Sequence, residues 1–260
     1  MPEDISSSSV GIREQIAKYS TELIRLRELL DLAFASGAKA SKASEDGIVF
    51  PLLVSCRDIL EEMLFAVNEG FGRAAVRSVR TMYECVVAAR YLNLHPEKTS
   101  AFLSQFHVQW AKIIQSMPPE FRSPEMHGTI SKHVPKYAQG KWVGMKDLNW
   151  SGKQTLEMAK EGGTLSDLHS MAFDYASAFI HPSAVFVLNA MSQQAGTEHV
   201  LEISMRPQDL EAEQALRIAH DLILNAVDLR LKYAPTDQLQ RRFDGCKDDF
   251  ARIWGYSPHL

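Results

Sequence analysis

The spacing of the apolar residues constrains this chain most, because they recur every three or four positions over much of its length. Such spacing collects apolar side chains on one side of an α-helix. The first stretch of this kind runs from Val10 to Phe34, where charged residues fill many of the positions between. Alternation typical of a strand occurs only at 199–204, and one short strand makes no sheet of consequence. The sequence therefore predicts an all-α fold.

Glycine, proline and capping residues divide this pattern into about eight or nine helices. The predicted spans are 10–34, 48–68, 73–94, 97–117, 151–160, 164–180, 183–191, 208–233 and 236–254. Ser151 and Thr164 are the expected N-caps of the two helices that they begin, since their hydroxyls accept hydrogen bonds from first-turn N–H groups. Residues 121–149, with Pro, Gly and Lys, predict either a long loop or short helical pieces.

No linker is long enough to divide the chain, so we expect a single multi-helix bundle over residues 1–260. It comprises an N-terminal helix and linker (1–44), a core (45–235) and a C-terminal helix (236–260). A chain of this length, 45% hydrophobic, can bury a sizeable core without a metal or a disulfide.

Charge and motif content exclude several classes of protein. The 28 Lys and Arg against 32 Asp and Glu give a net charge of −4, which excludes binding of polyanions over the whole surface. The absence of a secretory signal and of a membrane-length apolar stretch predicts a cytoplasmic protein without membrane contact. Cys56, Cys85 and Cys246 are too widely spaced to predict a disulfide framework or a zinc site. No nucleotide, flavin or metal motif is present, so we expect no cofactor.

Three charged residues, Arg77, Arg80 and Glu84, lie among apolar residues on the third predicted helix. Arg80 and Glu84 are four residues apart, which is the spacing of an ion pair within one helix. One interpretation is a structural ion pair that ties helices together. The other is a ligand site in which the guanidinium binds an anionic group.

A stripe of small polar residues follows the helix predicted at 164–180. Its members are Asp167, Ser170, Asp174, Ser177 and His181, whose spacing of three, four, three and four places them on one side of a helix. A solvated helix face explains the stripe, as does a homodimer seam. Alternatively, His181 transfers protons while an Asp one or two turns away fixes its tautomer.

Three motifs join these residues: Arg80-Thr-Met-Tyr-Glu84, Trp150-Ser-Gly152 and Tyr175-Ala-Ser177-Ala-Phe-Ile-His181-Pro. In this order they resemble an uncharacterised, all-helical bacterial family with the pattern R-x-x-x-E, W-x-G and Y-x-S-x-x-x-H-P, from about residue 45 to 235. The resemblance implies a helical fold and a cluster of Arg80, Glu84, Ser177 and His181, but no reaction. The fold is also distantly similar to HEPN domains, many of which are RNA-cutting toxins or defence proteins.

The HEPN nuclease signature, an Arg four to six residues before a His, has a literal match in the basic part of the chain. In that match, from Arg122 to His127, Pro124 interrupts the spacing in a stretch that reads as a loop. No Lys or Arg lies between Lys160 and His181, so a nuclease would need Arg77 or Arg80 from another helix.

A basic segment at 122–146 is the remaining candidate surface. It contains five cations and a single acidic residue, Glu125, which gives a local charge of +4. The cations are Arg122, Lys132, Lys136, Lys141 and Lys146. The cations could attract RNA or an acidic partner, and the aromatic residues between them could stack on bases. Alternatively, the segment is a solvated mobile loop.

These observations favour a binding or interaction module with a polar pocket for a small anionic ligand. The alternatives are a HEPN-like ribonuclease or phosphodiesterase and a structural homodimer module. For an enzyme, the catalytic candidates are His181, Arg80 and Glu84; the ligand-binding candidates are Arg77, Asp174, Ser177, Tyr175 and Trp150.

Overall fold

A computed structural model describes residues 17–34, 46–138, 150–180 and 209–260. Within these ranges the chain forms nine α-helices and no β-strand, which confirms the predicted all-α class. The helices are α1 (Ser20–Phe34), α2 (Asp46–Asn68), α3 (Gly72–Leu94), α4 (Thr99–Ser116), α5 (Pro124–Ala138), α6 (Thr155–Glu161), α7 (Ala176–Ile180), α8 (Asp209–Tyr233) and α9 (Asp237–Trp254).

Helix α3 lies at the centre of the fold, packed against α2 and α8. Residues 86–92 are buried on every side of this helix, which is typical of a helix in the protein interior. A short turn joins α2 to α3, and Gly70 adopts a φ of 86° there. Glycine enters this left-handed region without steric cost, so the chain reverses and the two helices pack as antiparallel neighbours.

A buried arginine ties α3 to α8. The Arg90 Nη2 atom donates to Asp228 Oδ2 at 2.9 Å and to the Asn225 carbonyl at 3.2 Å. Because the arginine side chain is only 10% exposed, these partners offset much of the cost of removing its charge from water. Helices α3 and α8 are thereby held at a fixed register.

The C-terminal residues fold back onto α8 after α9 ends at Gly255. The imidazole Nδ1 of His259 lies 2.6 Å from Oδ2 of Asp221, and the His259 backbone N–H donates to Oδ1 at 3.0 Å. Asn225 donates to the His259 carbonyl at 2.6 Å. The Asp221 carboxylate is fully buried, so the tail supplies the partners that a buried charge requires.

The segment from 164 to 180, called the 164–180 segment below, is helical but irregular. It consists of a 3₁₀ turn at Thr164–Leu168, a π-helical turn at Ser170–Tyr175 and helix α7. A π turn bonds residues five apart instead of four, so it shifts the side chains that follow relative to a regular α-helix.

Several predicted boundaries require correction. Ser151 does not cap α6, because the helix begins at Thr155 and Gln154 caps it in a reciprocal pair with Glu157. Pro124 does not interrupt a loop; it opens α5, where a first-turn proline loses no intrahelical bond. The helical alternative for 121–149 therefore holds as far as residue 138.

Other predicted elements lie partly or wholly outside the described residues. These are the start of the first helix (10–16), the end of the 121–149 stretch (139–149), the helix at 183–191 and the strand-like stretch at 199–204.

Candidate functional site

The Arg80 guanidinium is the centre of a polar cluster between α3 and the 164–180 segment. Its Nη1 atom donates to Ser177 Oγ at 3.0 Å, and its Nε atom donates to Glu84 Oε1 at 3.3 Å. The Arg80 Cζ atom lies over the ring of Phe173, 4.3 Å from its centroid. The arginine side chain is 24% exposed, so the guanidinium is held in place and still reaches solvent.

The antiparallel course of the two elements explains how these residues meet. Tyr83 on α3 contacts Leu165 and His169, while Arg80, one turn earlier, contacts Phe173 and Ser177. On the 164–180 segment, His169, Phe173 and Ser177 all contact α3, so they lie on the same side even though a π turn separates them. This side of the segment faces α3.

A second part of the cluster fixes the orientation of the buried His169. Its Nδ1 atom lies 3.1 Å from the Tyr83 hydroxyl, which also donates to the Leu165 carbonyl at 3.2 Å. A tyrosine hydroxyl has one proton. Since that proton goes to Leu165, we assign the Nδ1 proton to His169, which donates it to Tyr83. In the neutral ring, the Nε2 lone pair is then free.

The surroundings of His169 favour the neutral ring. Burial lowers the pKa of His169, and the charge of Asp174, whose Oδ1 is 3.8 Å from Nε2, opposes that effect. The imidazole stacks on Phe173 with 4.9 Å between ring centroids and 14° between planes. Burial also raises the pKa of Tyr83, which keeps its hydroxyl protonated. The neutral imidazole is therefore a proton acceptor next to the Arg80 cluster.

The structure brings only part of the predicted stripe to Arg80. Ser177 contacts the guanidinium directly and donates its own proton to the Phe173 carbonyl. Asp167 and Ser170 are exposed, and the Asp174 side chain is 65% exposed. These three residues form a solvated face, and His181 lies outside the described residues.

The remaining predicted site residues occupy other places. Arg77 is exposed on α3, one turn before Arg80. Tyr175 packs edge-on against Phe179, and its pKa is raised first by burial and then by the charge of Glu211. Trp150 is buried against Tyr91 and Phe102. Neither residue is among the contacts of the Arg80 guanidinium, and Trp150 instead lines a cleft together with Glu84.

Glu84 connects the cluster to a cleft between α3, α4 and α6, called the α3–α4–α6 cleft below. Its volume is about 360 Å³, and its lining includes Glu84, Cys85, Phe102 and Trp150. Burial raises the pKa of the Cys85 thiol to about 11, so the thiol that lines the cleft is uncharged near pH 7. Only one oxygen of Glu84 is engaged by Arg80.

Sequence reasoning missed Tyr83, His169 and Phe173 as parts of the site. The only available signal was the regular spacing of His169, Phe173 and Ser177. The stripe with two aspartates runs along the neighbouring side of the same segment and gives the stronger polar pattern.

The structure assigns a structural role to Arg122 in the basic segment. Its Nε atom donates to the Met117 carbonyl at 2.9 Å and its Nη2 atom to the Gln115 carbonyl at 2.7 Å. Carbonyls at a helix end lack intrahelical donors, so Arg122 caps α4. The side chains of Lys136, Lys141 and Lys146 lie outside the part of the chain that is described.

Within the described residues, no group of three or more His, Cys, Asp or Glu side chains is arranged to hold a metal ion. None of the helices in these ranges is both long and apolar enough to cross a membrane.

Comparison with known proteins agrees with the resemblance carried by the three motifs. The family described as "Family of unknown function (DUF5677)" matches residues 46–196, a range that contains all three. No curated protein and no solved structure matches the chain.

Proposed function

The chain belongs to DUF5677, a family of unknown function, and we propose that it is a binding module whose Arg80 guanidinium holds an anionic group of a small ligand. One observation carries this proposal. The guanidinium is fixed between Phe173 and Ser177, still reaches solvent, and uses only part of its hydrogen-bonding capacity.

The count of donors supports a binding role for Arg80. An arginine side chain has five N–H donors. Among the described residues, Nη1 uses one for Ser177, and Nε uses one for Glu84 over a long contact of 3.3 Å. The other N–H groups remain for a ligand. Because Phe173 and Ser177 already restrict the side chain, binding costs less conformational entropy than binding to a mobile surface arginine.

The neighbouring charges indicate which anions suit the site. The carboxylates of Glu84 and Asp174 lie close to the cluster, so an anion gains little there from overall charge attraction alone. A ligand gains most from directional hydrogen bonds, which a planar carboxylate or a phosphate makes with the fork of a guanidinium. The exposed Arg77 and His181, which follows α7 in sequence, belong to the proposal as further donors.

Calorimetric titration with inorganic phosphate and with acetate tests the proposal. We expect one of these anions to bind, and Arg80→Gln to raise its dissociation constant at least tenfold, equivalent to about 1.4 kcal/mol. Arg80→Lys, which keeps the charge and loses the fork, should fall between the two. The matched control is Arg57→Gln, which removes an exposed arginine paired with Asp31 on another helix. Equal binding by Arg80→Gln and wild-type protein contradicts the proposal.

Two further assays distinguish the alternatives. Cleavage of single-stranded RNA that His181→Ala abolishes would replace the binding proposal with the nuclease. A dimer that Asp174→Arg dissociates, with no anion bound, would favour the homodimer seam. Asp174 suits this test because its exposed side chain can be changed without a cavity in the core.

A further inference from the structure

The α3–α4–α6 cleft has the size of a small-molecule site, and its walls combine aromatic and polar residues. Its volume of about 360 Å³ lies within the range of ligand pockets, which starts near 300 Å³. Phe102, Trp150 and Met158 line it, and the first two rings meet edge to face at 4.8 Å between centroids. Trp150 also meets Tyr91 edge to face, so the walls are held by packing. The cleft is therefore a preformed surface for a flat apolar group.

The polar lining of the cleft is neutral except for one carboxylate. Gln105 and Gln109 supply amides, Thr81 and Thr155 supply hydroxyls, and Glu84 supplies the carboxylate. No Lys, Arg or His is among the described residues that line the cleft. The high pKa of Cys85, raised by burial to about 11, leaves that thiol without a charge near neutral pH.

The Glu84 carboxylate has unused accepting capacity. Arg80 donates to Oε1 at 3.3 Å, whereas Oε2 accepts no hydrogen bond from any other described residue. The side chain is 44% exposed and belongs to the lining of the cleft, so Arg80 does not cover the whole carboxylate.

We propose that the α3–α4–α6 cleft binds a small aromatic cation, whose ring packs on Phe102, Trp150 and Met158 and whose ammonium group donates to Glu84. This inference goes beyond the anion site at Arg80, since it concerns a ligand of opposite charge in a cleft that Arg80 does not line. An ammonium group gains both a hydrogen bond to an ionised acceptor and attraction to aromatic faces. An anion in the cleft meets the Glu84 carboxylate, and no Lys, Arg or His is among the described residues that line the cleft to attract it.

Three probes that share one ring and differ in charge test the inference: benzylamine, benzyl alcohol and benzoate. Binding is measured by calorimetry and by the indole N–H signals in NMR spectra. We expect benzylamine to bind at least tenfold more tightly than benzyl alcohol, and benzoate to bind least. Glu84→Gln should remove the preference for benzylamine over benzyl alcohol. The matched control is Glu62→Gln, at an exposed glutamate on α2, which should keep it.

Two blocking variants test the location independently of charge. Ala88→Leu adds bulk from the α3 wall, and Gln105→Phe adds bulk from α4. Gln105 is only half-buried, so its replacement should disturb folding less than a change in the core. Each should abolish benzylamine binding while thermal unfolding remains cooperative. Full binding by a folded Gln105→Phe protein, or equal binding of benzylamine and benzoate, would overturn the inference.

Arg80→Gln separates this inference from the proposed function. The variant should lose anion binding and keep or strengthen benzylamine binding, because Oε1 of Glu84 then loses its partner. Benzylamine binding without any anion binding leaves only the cleft inference standing, and the reverse result leaves only the anion site.

Discussion

At the scale of single residues, the hydroxyl of Tyr83 determines which nitrogen of His169 carries the proton. We assign the hydroxyl as the acceptor from Nδ1, since it is placed to donate its own proton to Leu165. The free Nε2 atom then faces Asp174 at the protein surface. On this assignment, a buried tyrosine on α3 sets the tautomer of an imidazole that lies 86 residues further along the chain.

Replacing Tyr83 with phenylalanine tests this assignment. We expect Tyr83→Phe to lower the free energy of unfolding by about 1 to 3 kcal/mol, since the Leu165 carbonyl and His169 Nδ1 lose their partner. We also expect a change in the ¹⁵N shifts of the His169 ring, which report the tautomer. The control is Tyr91→Phe, a buried tyrosine whose hydroxyl makes no hydrogen bond with other described residues. Unchanged His169 shifts in Tyr83→Phe would refute the assignment.

The sequence sufficed to predict the Arg80–Glu84 pair, because both residues lie on one helix and their spacing alone brings them together. Ser177 was predicted through its motif, and its contact with Arg80 then depends on how two elements pack. His169 was not predictable in this way. Its role depends on a tyrosine from another helix, and no local spacing reports that contact.

At the scale of elements, helix periodicity predicted α2, α3, α8 and α9 to within about two residues, because long amphipathic or buried helices repeat the signal many times. Helix periodicity did not predict the irregular turns of the 164–180 segment. A single π turn changes the register, yet its sequence differs little from that of a regular helix. Ser151 illustrates a second limit, since several polar residues before a helix compete to cap it.

The contact between the C-terminal residues and α8 gives a prediction at this scale. We expect His259→Ala to lower the free energy of unfolding by about 2 kcal/mol, because the buried Asp221 loses a charge-assisted hydrogen bond. Asp221→Asn in the same chain should recover part of that loss, since the group left behind is neutral. Urea unfolding of the two single variants and the double variant measures the coupling.

The control for this comparison is His127→Ala, at an exposed histidine on α5, which should change the free energy of unfolding by less than about 0.5 kcal/mol. Equal effects of His127→Ala and His259→Ala would show that the tail does not stabilise α8.

At the scale of the whole molecule, α3 packs against α2, α6, α7 and α8, and both candidate binding regions use residues of α3. Arg80, Glu84 and Ala88 are one turn apart on this helix, so its regular geometry sets their relative positions. Sequence patterning predicted the all-α class, and the nine helices of the described residues agree with the expected eight or nine. It did not predict the cleft, because a cavity depends on how three helices and Trp150 meet.

The stability of the whole chain should depend on pH through the buried His220. Burial lowers the pKa of His220 to about 4, whereas in the unfolded chain it is about 6.5. The folded state thus disfavours the charged ring, and stability present above pH 6.5 is lost as the pH falls through 4. We expect the free energy of unfolding to fall by about 2 to 3 kcal/mol from this group between pH 7 and pH 4.5.

Urea unfolding of wild-type protein and His220→Leu across this range checks the prediction. His220→Leu should flatten the pH profile even though Trp254 loses the acceptor of its indole N–H. His127→Gln, an exposed change, should leave the profile as it is. Parallel profiles for wild-type protein and His220→Leu would exclude His220 as the cause.

The position of Glu84, with one oxygen turned to Arg80 and the other free, links two equilibria. On the two proposals above, an anion that draws the guanidinium toward itself weakens the ion pair with Glu84, so an amine bound to Glu84 is held more firmly. By thermodynamic reciprocity, the amine then strengthens binding of the anion by the same factor. One side chain would thereby couple the binding of the two proposed ligands.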